Sequence, residues 1–138
     1  MSNWFVTSPR DKAAVKLRLY AIPFAGRGAS LFHTWRAILP DWIELVAIQL
    51  PGREARMGEP ALTRIPEIVT ALKNEIVASN TQPYAFFGYS MGALIGFETA
   101  RALLSEEYSK PLALILGAHQ PPHYRTAPVR FHAMSDAE

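Results

Sequence analysis

Short apolar segments of two kinds alternate along this chain, and their order constrains the fold more than any other feature. Four segments have the composition of β-strands, and segments with helical spacing separate them. Strands joined in this way pair in parallel through right-handed crossovers, and the helices cover the sheet. We therefore predict an α/β fold with a mostly parallel sheet flanked by helices. The predicted strands are Lys16–Ile22, Ile43–Leu50, Tyr84–Tyr89 and Leu112–Ala118.

Helices are predicted in the three intervals between these strands. Leu31–Leu39 has helical spacing, and Ser30 precedes it as a candidate N-cap. Apolar residues between Ile65 and Ile76 recur at intervals of three and four, which places them on one face of a second helix. A third helix is predicted from Ala93 to about Leu104.

The bulk composition excludes several classes of function. Of 138 residues, 49% are hydrophobic and 19% are charged, which is typical of a globular domain, and a net charge of +2 favours neither nucleic acid nor membrane as a partner. The chain has no cysteine, which excludes disulfides and thiolate metal sites and agrees with a cytoplasmic location. No apolar run approaches the roughly 20 residues of a membrane span. We expect one domain without metal or cofactor.

Ligands of such sheets bind where the strands end, at their carboxyl edge. Three predicted loops leave that edge, and a fourth begins at Gly117. The chemistry of the chain is therefore expected in these loops, which are Pro23–Ser30, Pro51–Gly58 and Gly88–Gly92.

The loop after the third strand contains a serine between two glycines. Gly88, Ser90 and Gly92 fit the pattern G-x-S-x-G, directly after an apolar strand and before an apolar helix. In that context the turn is so tight that only small residues fit two positions either side of the serine. We predict Ser90 as a catalytic nucleophile, with the amide of Met91 at the helix N-terminus binding a developing oxyanion. The alternative is a buried turn serine without catalytic function.

A second oxyanion donor is expected from the loop after the first strand. Pro23 and the glycines at 26 and 28 shape a loop whose backbone can approach a substrate carbonyl. We predict that the amide of Phe24 or Ala25 is the donor. The alternative is a glycine loop that serves only helix packing.

Three segments taken together carry a resemblance to a known family. "PFAG" follows the first strand, "QLPGRE" (Gln49–Glu54) follows the second, and "FFGYSMGALIGFETAR" contains the serine. The chain resembles the type II thioesterases of nonribosomal peptide and polyketide synthases, which have the α/β-hydrolase fold, from about Lys16 to Glu138. The resemblance implies hydrolysis of acyl groups from the phosphopantetheine arm of an acyl or peptidyl carrier protein. It departs from the family at Tyr89, where histidine is usual, and at Arg27, where glycine is usual.

Other residues near the predicted site have two interpretations. Arg53, Glu54 and Arg56 follow the second strand, and they lie either at the rim, facing an acidic carrier protein or the phosphate of the arm, or in a solvated loop. His119 and Gln120 follow the fourth strand and are candidate substrate contacts. His33 is expected to be a surface or packing residue.

The acid and base that a serine nucleophile needs are expected outside this sequence. In this fold they follow the serine, and the resemblance places both after later strands. Ser135–Glu138 fits the capping box that opens a helix. We therefore expect an N-terminal portion of a longer domain, with the C-terminal strands and lid missing and little or no activity in isolation. The strand Leu112–Ala118, with the continuous apolar sequence of a strand buried on both faces, would then form an exposed edge.

Three functional hypotheses remain open at this point. The first is the carrier-protein thioesterase acting through an acyl-Ser90 intermediate. The second is a non-catalytic fragment that binds carrier proteins. The third is a small-molecule ester hydrolase or acyltransferase, because function belongs to the site and not to the fold.

Overall fold

In a computed structural model of the chain, residues 3–7 and 10–117 are described. Within these ranges one sheet has five strands, and two α-helices and three short 3-10 helices connect them. The strands and α-helices are β1 Phe5–Thr7, β2 Leu17–Ile22, β3 Ile43–Ile48, α1 Ile65–Ser79, β4 Tyr84–Tyr89, α2 Met91–Ser105 and β5 Leu114–Gly117.

The sheet has the strand order β1-β3-β2-β4-β5, and all neighbouring pairs except one are parallel. Leu19 of β2 lies opposite Leu45 on one side and Ala85 on the other. The exception is β1, which pairs with β3 in antiparallel fashion and places Phe5 opposite Ile48. The predicted mostly parallel sheet flanked by helices is confirmed. The strand β1 was not predicted, because three residues carry too little periodicity to announce a strand.

Both α-helices pack on one face of the sheet. The spacing between Ile65 and Ile76 predicted a helix, and this prediction is confirmed by α1, whose buried face includes Leu72 and Ile76. Phe86 and Ile95, from β4 and α2, are fully buried in the same core. Because strand side chains alternate between the two faces, these contacts fix which face of each strand meets the helices. The sheet residues of this core are Tyr20, Ile22, Val46, Ile48, Tyr84 and Phe86.

The opposite face is covered by two short 3-10 helices, Ala29–Phe32 and Trp35–Ala37. The prediction of one α-helix over Leu31–Leu39 with Ser30 as its N-cap is therefore wrong. The rings of Phe32 and Trp35 lie three residues apart and contact each other, with centroids 5.0 Å apart. Phe32 ends the first 3-10 helix and Trp35 begins the second, and both rings pack against Phe87 of the sheet, with centroids 6.0 and 4.7 Å from its ring.

The strand β5 lies at one edge of the described sheet and is shorter than predicted. It pairs with β4 on one side, and Ile115 is 51% exposed. The interpretation of a strand buried on both faces is therefore wrong for the described residues, whereas the exposed apolar edge is as expected. Ala118, the last residue of the predicted strand, lies outside the described residues.

Candidate active site

Ser90 occupies the turn between β4 and α2 in a backbone conformation that is unusual for a residue with a side chain. Its φ is 57° and its ψ is −118°. Such a conformation is costly for a non-glycine residue and persists only where the surroundings enforce it. The Ser90 amide donates to the carbonyl of Gly117 at 2.9 Å, and its carbonyl accepts from the amide of Ala93 at 3.0 Å. The turn is thus held by β5 on one side and by the first turn of α2 on the other.

The two glycines of the turn are required by close backbone contacts. A Cβ on Gly88 would lie 2.2 Å from the carbonyl oxygen of Gly92. A Cβ on Gly92 would lie 2.3 Å from the carbonyl oxygen of Ile22 and 2.9 Å from that of Pro23. The start of α2 therefore lies directly against the end of β2. This contact brings the loop after β2 next to Ser90.

The N-terminus of α2 provides the first predicted oxyanion donor. Met91 is the first residue of this 15-residue helix, where backbone amides lack intrahelical acceptors. No residue of the described ranges accepts a hydrogen bond from the Met91 amide. The positive end of the helix dipole at this point favours negative charge on a ligand.

The loop after β2 provides the second predicted donor. Phe24 and Ala25 are partly exposed, and Gly26 follows them with a φ of 82° in a turn closed by the bond from the Arg27 amide to the Phe24 carbonyl, 3.1 Å. Among the described acceptors, none takes a hydrogen bond from the amide of Phe24 or Ala25. Both amides therefore remain candidate donors, as the sequence predicts.

An aromatic pair borders the serine. The ring of Tyr89 meets that of Phe24 edge to face, with centroids 5.9 Å apart. Tyr89 is 46% exposed, and the guanidinium of Arg27 lies over the Phe24 ring at 5.6 Å. Tyr89 and Arg27, where the resemblance leads us to expect histidine and glycine, thus both contact Phe24.

One residue of the loop after β3, Arg56, differs from its predicted position at the rim. Arg56 is buried, where it donates to the carbonyl of Gln49 at 2.9 Å, pairs with Glu59 at 2.8 Å and lies over the Trp4 ring. The interpretation of Arg56 as a rim or solvated residue is therefore wrong. Arg53 is half-buried and donates to the carbonyl of Gly52 at 3.3 Å.

Glu54 faces the loop after β2, a contact that the sequence did not predict. Its carboxylate accepts hydrogen bonds from both the amide and the hydroxyl of Ser30. The bond from the Ser30 hydroxyl is the main reason that the pKa of Glu54 lies below its ordinary value. The signal available in the sequence was an acidic side chain directly after the Pro51–Gly52 turn, at the same sheet edge as Pro23–Ser30.

The described residues supply Ser90 with no histidine partner. His33 is exposed at the end of a 3-10 helix, and its imidazole makes no hydrogen bond within residues 3–7 and 10–117. Glu98 and Glu106 are engaged with Arg101 and Lys73. The candidate contacts His119 and Gln120 lie outside the described residues.

Three further features of the described residues concern metal ligands, membrane helices and grooves. No three histidine or acidic side chains there lie close enough together to hold a metal ion. None of the helices in those ranges has the length and apolar character needed to cross a bilayer. A groove of about 710 Å³ lies between α1 and α2, and none of the predicted site residues line it.

Comparison with known proteins agrees with this geometry. Residues 17–138 match the family described as Thioesterase domain. The chain is 41% identical to the gramicidin S biosynthesis protein GrsT of Aneurinibacillus migulanus, over 100% of this chain and 54% of that protein.

Two solved structures have the same fold. The type II thioesterase BorB, from the borrelidin biosynthetic cluster, superposes with a TM-score of 0.83 at 32% identity, over 97% of this chain and 54% of BorB. The thioesterase RedJ, from the prodiginine biosynthetic pathway in Streptomyces coelicolor, superposes with a TM-score of 0.81 at 34% identity, over 94% of this chain and 48% of RedJ. This chain spans about half the length of the relatives it matches.

These similarities confirm the predicted α/β-hydrolase architecture and the predicted resemblance. The family match extends over most of the chain and includes Ser90, both glycines of its turn and the loop after β2. The chain belongs to the thioesterase family, among the type II thioesterases of nonribosomal peptide and polyketide pathways.

Proposed function

We propose that this chain is part of a serine thioesterase that removes acyl groups from the phosphopantetheine arm of carrier proteins. The observation that carries the proposal is the strained conformation of Ser90 between the end of β4 and the N-terminus of α2. Such strain at a helix N-terminus serves to present a hydroxyl next to unpaired amides. Because the chain spans about half of its relatives, the proposal concerns the full-length protein.

The proposed reaction has two steps. The Ser90 hydroxyl attacks the thioester carbonyl, the carbonyl oxygen becomes an oxyanion, and the thiol of the arm leaves after proton transfer. The amide of Met91 and that of Phe24 or Ala25 donate to the oxyanion. Water then attacks the acyl-serine ester, which releases the acid and restores Ser90. The general base, with the acid that orients it, is assigned to the full-length protein outside the described residues.

The carrier protein as partner is supported by the chain's relatives. GrsT is named for gramicidin S biosynthesis, and BorB and RedJ come from the borrelidin and prodiginine pathways. Synthases of this kind carry intermediates as thioesters, so a hydrolase in such a pathway meets a thioester on a protein-bound arm. We further propose a cytoplasmic location, which the absence of cysteine favours.

The test is pre-steady-state hydrolysis of an acyl-pantetheine thioester by the full-length protein. We expect a burst of thiol that matches the enzyme concentration, and its loss in Ser90→Ala. Ser105→Ala is the matched control, because its hydroxyl lies at the far end of α2 and, within the described residues, donates to the Ala102 carbonyl alone. Turnover by Ser90→Ala equal to that of the control would rule out the acyl-serine route.

A second function is favoured by the missing base. Since the described residues offer Ser90 no histidine partner, the 138-residue chain is a candidate carrier-protein binder without hydrolytic activity. Pull-down with a phosphopantetheinylated carrier protein, together with the thioester assay, separates the alternatives. Binding without hydrolysis supports the second function, whereas hydrolysis that depends on Ser90 supports the first.

A further inference from the structure

Two loops of the site are joined by a small group of hydrogen bonds. Oε1 of Glu54 accepts from the amide of Ser30 at 3.2 Å, and Oε2 accepts from the Ser30 hydroxyl. Beside them, Oε1 of Gln49 accepts from the amide of Ala29 at 2.9 Å. The side-chain Nε2 of Gln49 also donates to Oε1 of Glu54 at 3.4 Å. Two side chains from the loop after β3 thus bind two consecutive amides of the loop after β2.

These two amides open the 3-10 helix Ala29–Phe32, and that position explains why they need acceptors. The first amides of a helix have no intrahelical acceptor, and Gly28 at the N-cap has no side chain to provide one. Glu54 and Gln49, which lie 24 and 20 residues further along the chain than the amides they bind, therefore provide the capping that a local side chain usually provides.

The fit between the loops leaves no spare room. A Cβ on Gly28 would lie 2.6 Å from Cδ of Glu54 and 2.7 Å from Oε1 of Gln49. Glu54 itself has a φ of 42°, a conformation that residues with side chains rarely adopt. The ends of the Glu54 and Gln49 side chains fill the space beside Gly28, and a side chain at that position would displace them.

The held loop is the one that carries the second predicted oxyanion donor. Phe24 and Ala25 lie between the end of β2 and Ala29, so this short segment is fixed at one end by the sheet and at the other by Glu54. The contact of Gly92 with Pro23 places the same segment against α2. Any shift of the Ser30 end therefore moves the donor amides relative to Ser90.

We infer that Glu54 is a positioning residue, which clamps the loop Pro23–Ser30 through Ser30 and so holds the second oxyanion donor in line with Ser90. This inference rests on the proposed function of Ser90. Among the described residues, the Glu54 carboxylate is hydrogen-bonded to Ser30 and Gln49 and not to Ser90. Its part is to preserve a geometry in which a displacement of about 1 Å can cost on the order of a hundredfold in rate.

The experiment compares Glu54→Ala, Glu54→Gln and Glu59→Gln in the full-length protein with an acyl-pantetheine thioester. Glu59 is the matched control, because it is an acidic residue of the same loop that pairs with Arg56 and not with Ser30. An oxyanion donor acts in the transition state, so its displacement lowers kcat and leaves KM nearly unchanged. We expect kcat to fall about 10- to 100-fold in Glu54→Ala.

Glu54→Gln tests the carboxylate more gently. The side-chain amide introduced in this variant keeps one oxygen for the Ser30 backbone N–H and can donate to the Ser30 hydroxyl. The kcat of Glu54→Gln should therefore stay within about threefold of wild type. Glu59→Gln should leave kcat within about twofold. A purely structural role predicts instead that Glu54→Ala loses soluble protein and that its surviving fraction has normal kcat, which would overturn the inference.

A second variant and a second measurement keep the test decisive. If Glu54→Ala does not fold, Ser30→Ala, which removes only the hydroxyl bond, should still lower kcat at least about threefold without changing KM. An unchanged kcat in Ser30→Ala would overturn the inference. If Ser90→Ala retains turnover, the proposed function fails, and hydrogen exchange then decides the clamp alone. Faster exchange of amides 24–28 in Glu54→Ala (or in Ser30→Ala, if Glu54→Ala does not fold) than in Glu59→Gln supports it, and equal exchange refutes it.

Discussion

Replacing Gly92 by alanine places a methyl group where the structure has none to spare. The new Cβ would lie 2.3 Å from the carbonyl oxygen of Ile22, so helix and strand must separate by about 1 Å to reach ordinary contact distance. The Ile22 carbonyl belongs to the backbone of β2 and the Cβ is fixed by the backbone of α2, so neither atom can turn aside as the end of a flexible side chain would. Forced overpacking of this kind costs about 1–3 kcal/mol or more, against at most about 1 kcal/mol gained from replacing glycine in a helix.

Gly96 provides the matched control, four residues later on the same helix. Its added Cβ would meet Cδ1 of Ile22 at 3.4 Å and other side-chain atoms at 3.7 Å, which is ordinary contact. We expect Gly96→Ala to raise the free energy of unfolding by about 0.5–1 kcal/mol and Gly92→Ala to lower it by about 2 kcal/mol. The same methyl group on one helix should thus have opposite effects.

Urea unfolding of the full-length protein, followed by tryptophan fluorescence, measures this difference. A gap of about 3 kcal/mol separates the two midpoints by at least about 1 M urea. Gly92→Ala should also lose thioester turnover, since the shift moves the Met91 amide away from the end of β2. Midpoints within about 0.2 M of each other would refute the argument that the Gly92 contact holds the start of α2 in place.

Two further predictions concern buried polar groups away from the serine. Burial raises the pKa of Tyr84 to about 12, so its phenol favours the folded state below about pH 10 and that contribution is lost as the pH rises toward 12. Tyr84→Phe loses the bond to the Ser109 carbonyl and should lower the free energy of unfolding by about 1 kcal/mol at neutral pH. The decrease in this free energy between about pH 8 and about pH 11, measured by urea titration, should be smaller in the variant than in wild type. An equal decrease in both proteins would contradict the prediction. Arg56→Lys keeps the charge but loses the forked contacts with Gln49 and Glu59, and should lower the free energy of unfolding by about 2 kcal/mol, whereas a thermal midpoint equal to wild type would count against it.

Regular elements could be predicted from the sequence because their signals are local. Apolar spacing located α1, and an uninterrupted apolar run located β4 with the correct bounds of Tyr84 and Tyr89. The turn at Ser90 followed from its two glycines and the elements on either side. Each of these features depends on residues that lie within a few positions of one another.

Features that depend on distant pairing were missed. The strand β1 forms by pairing with β3, where Phe5 lies opposite Ile48, and the three residues of β1 alone do not indicate this pairing. The two 3-10 helices after β2 were predicted as one α-helix, because the packing of Phe32 and Trp35 on the sheet cannot be read from the local sequence. Glu54 meets Ser30 across 24 residues, and neither residue belongs to a periodic pattern. The contact of Glu54 with the loop Pro23–Ser30 therefore could not be predicted from sequence patterns.

The hydrogen bond from the Ser90 amide to the Gly117 carbonyl connects the edge strand of the described sheet to the backbone of the proposed nucleophile. Gly117 ends β5, the strand whose outer side is exposed in the described part of the chain. A strand that pairs with the outer side of β5 would fix the position of that carbonyl and, through one hydrogen bond, the backbone of Ser90. The geometry of the nucleophile thus depends on what pairs with the edge of the sheet as well as on the start of α2.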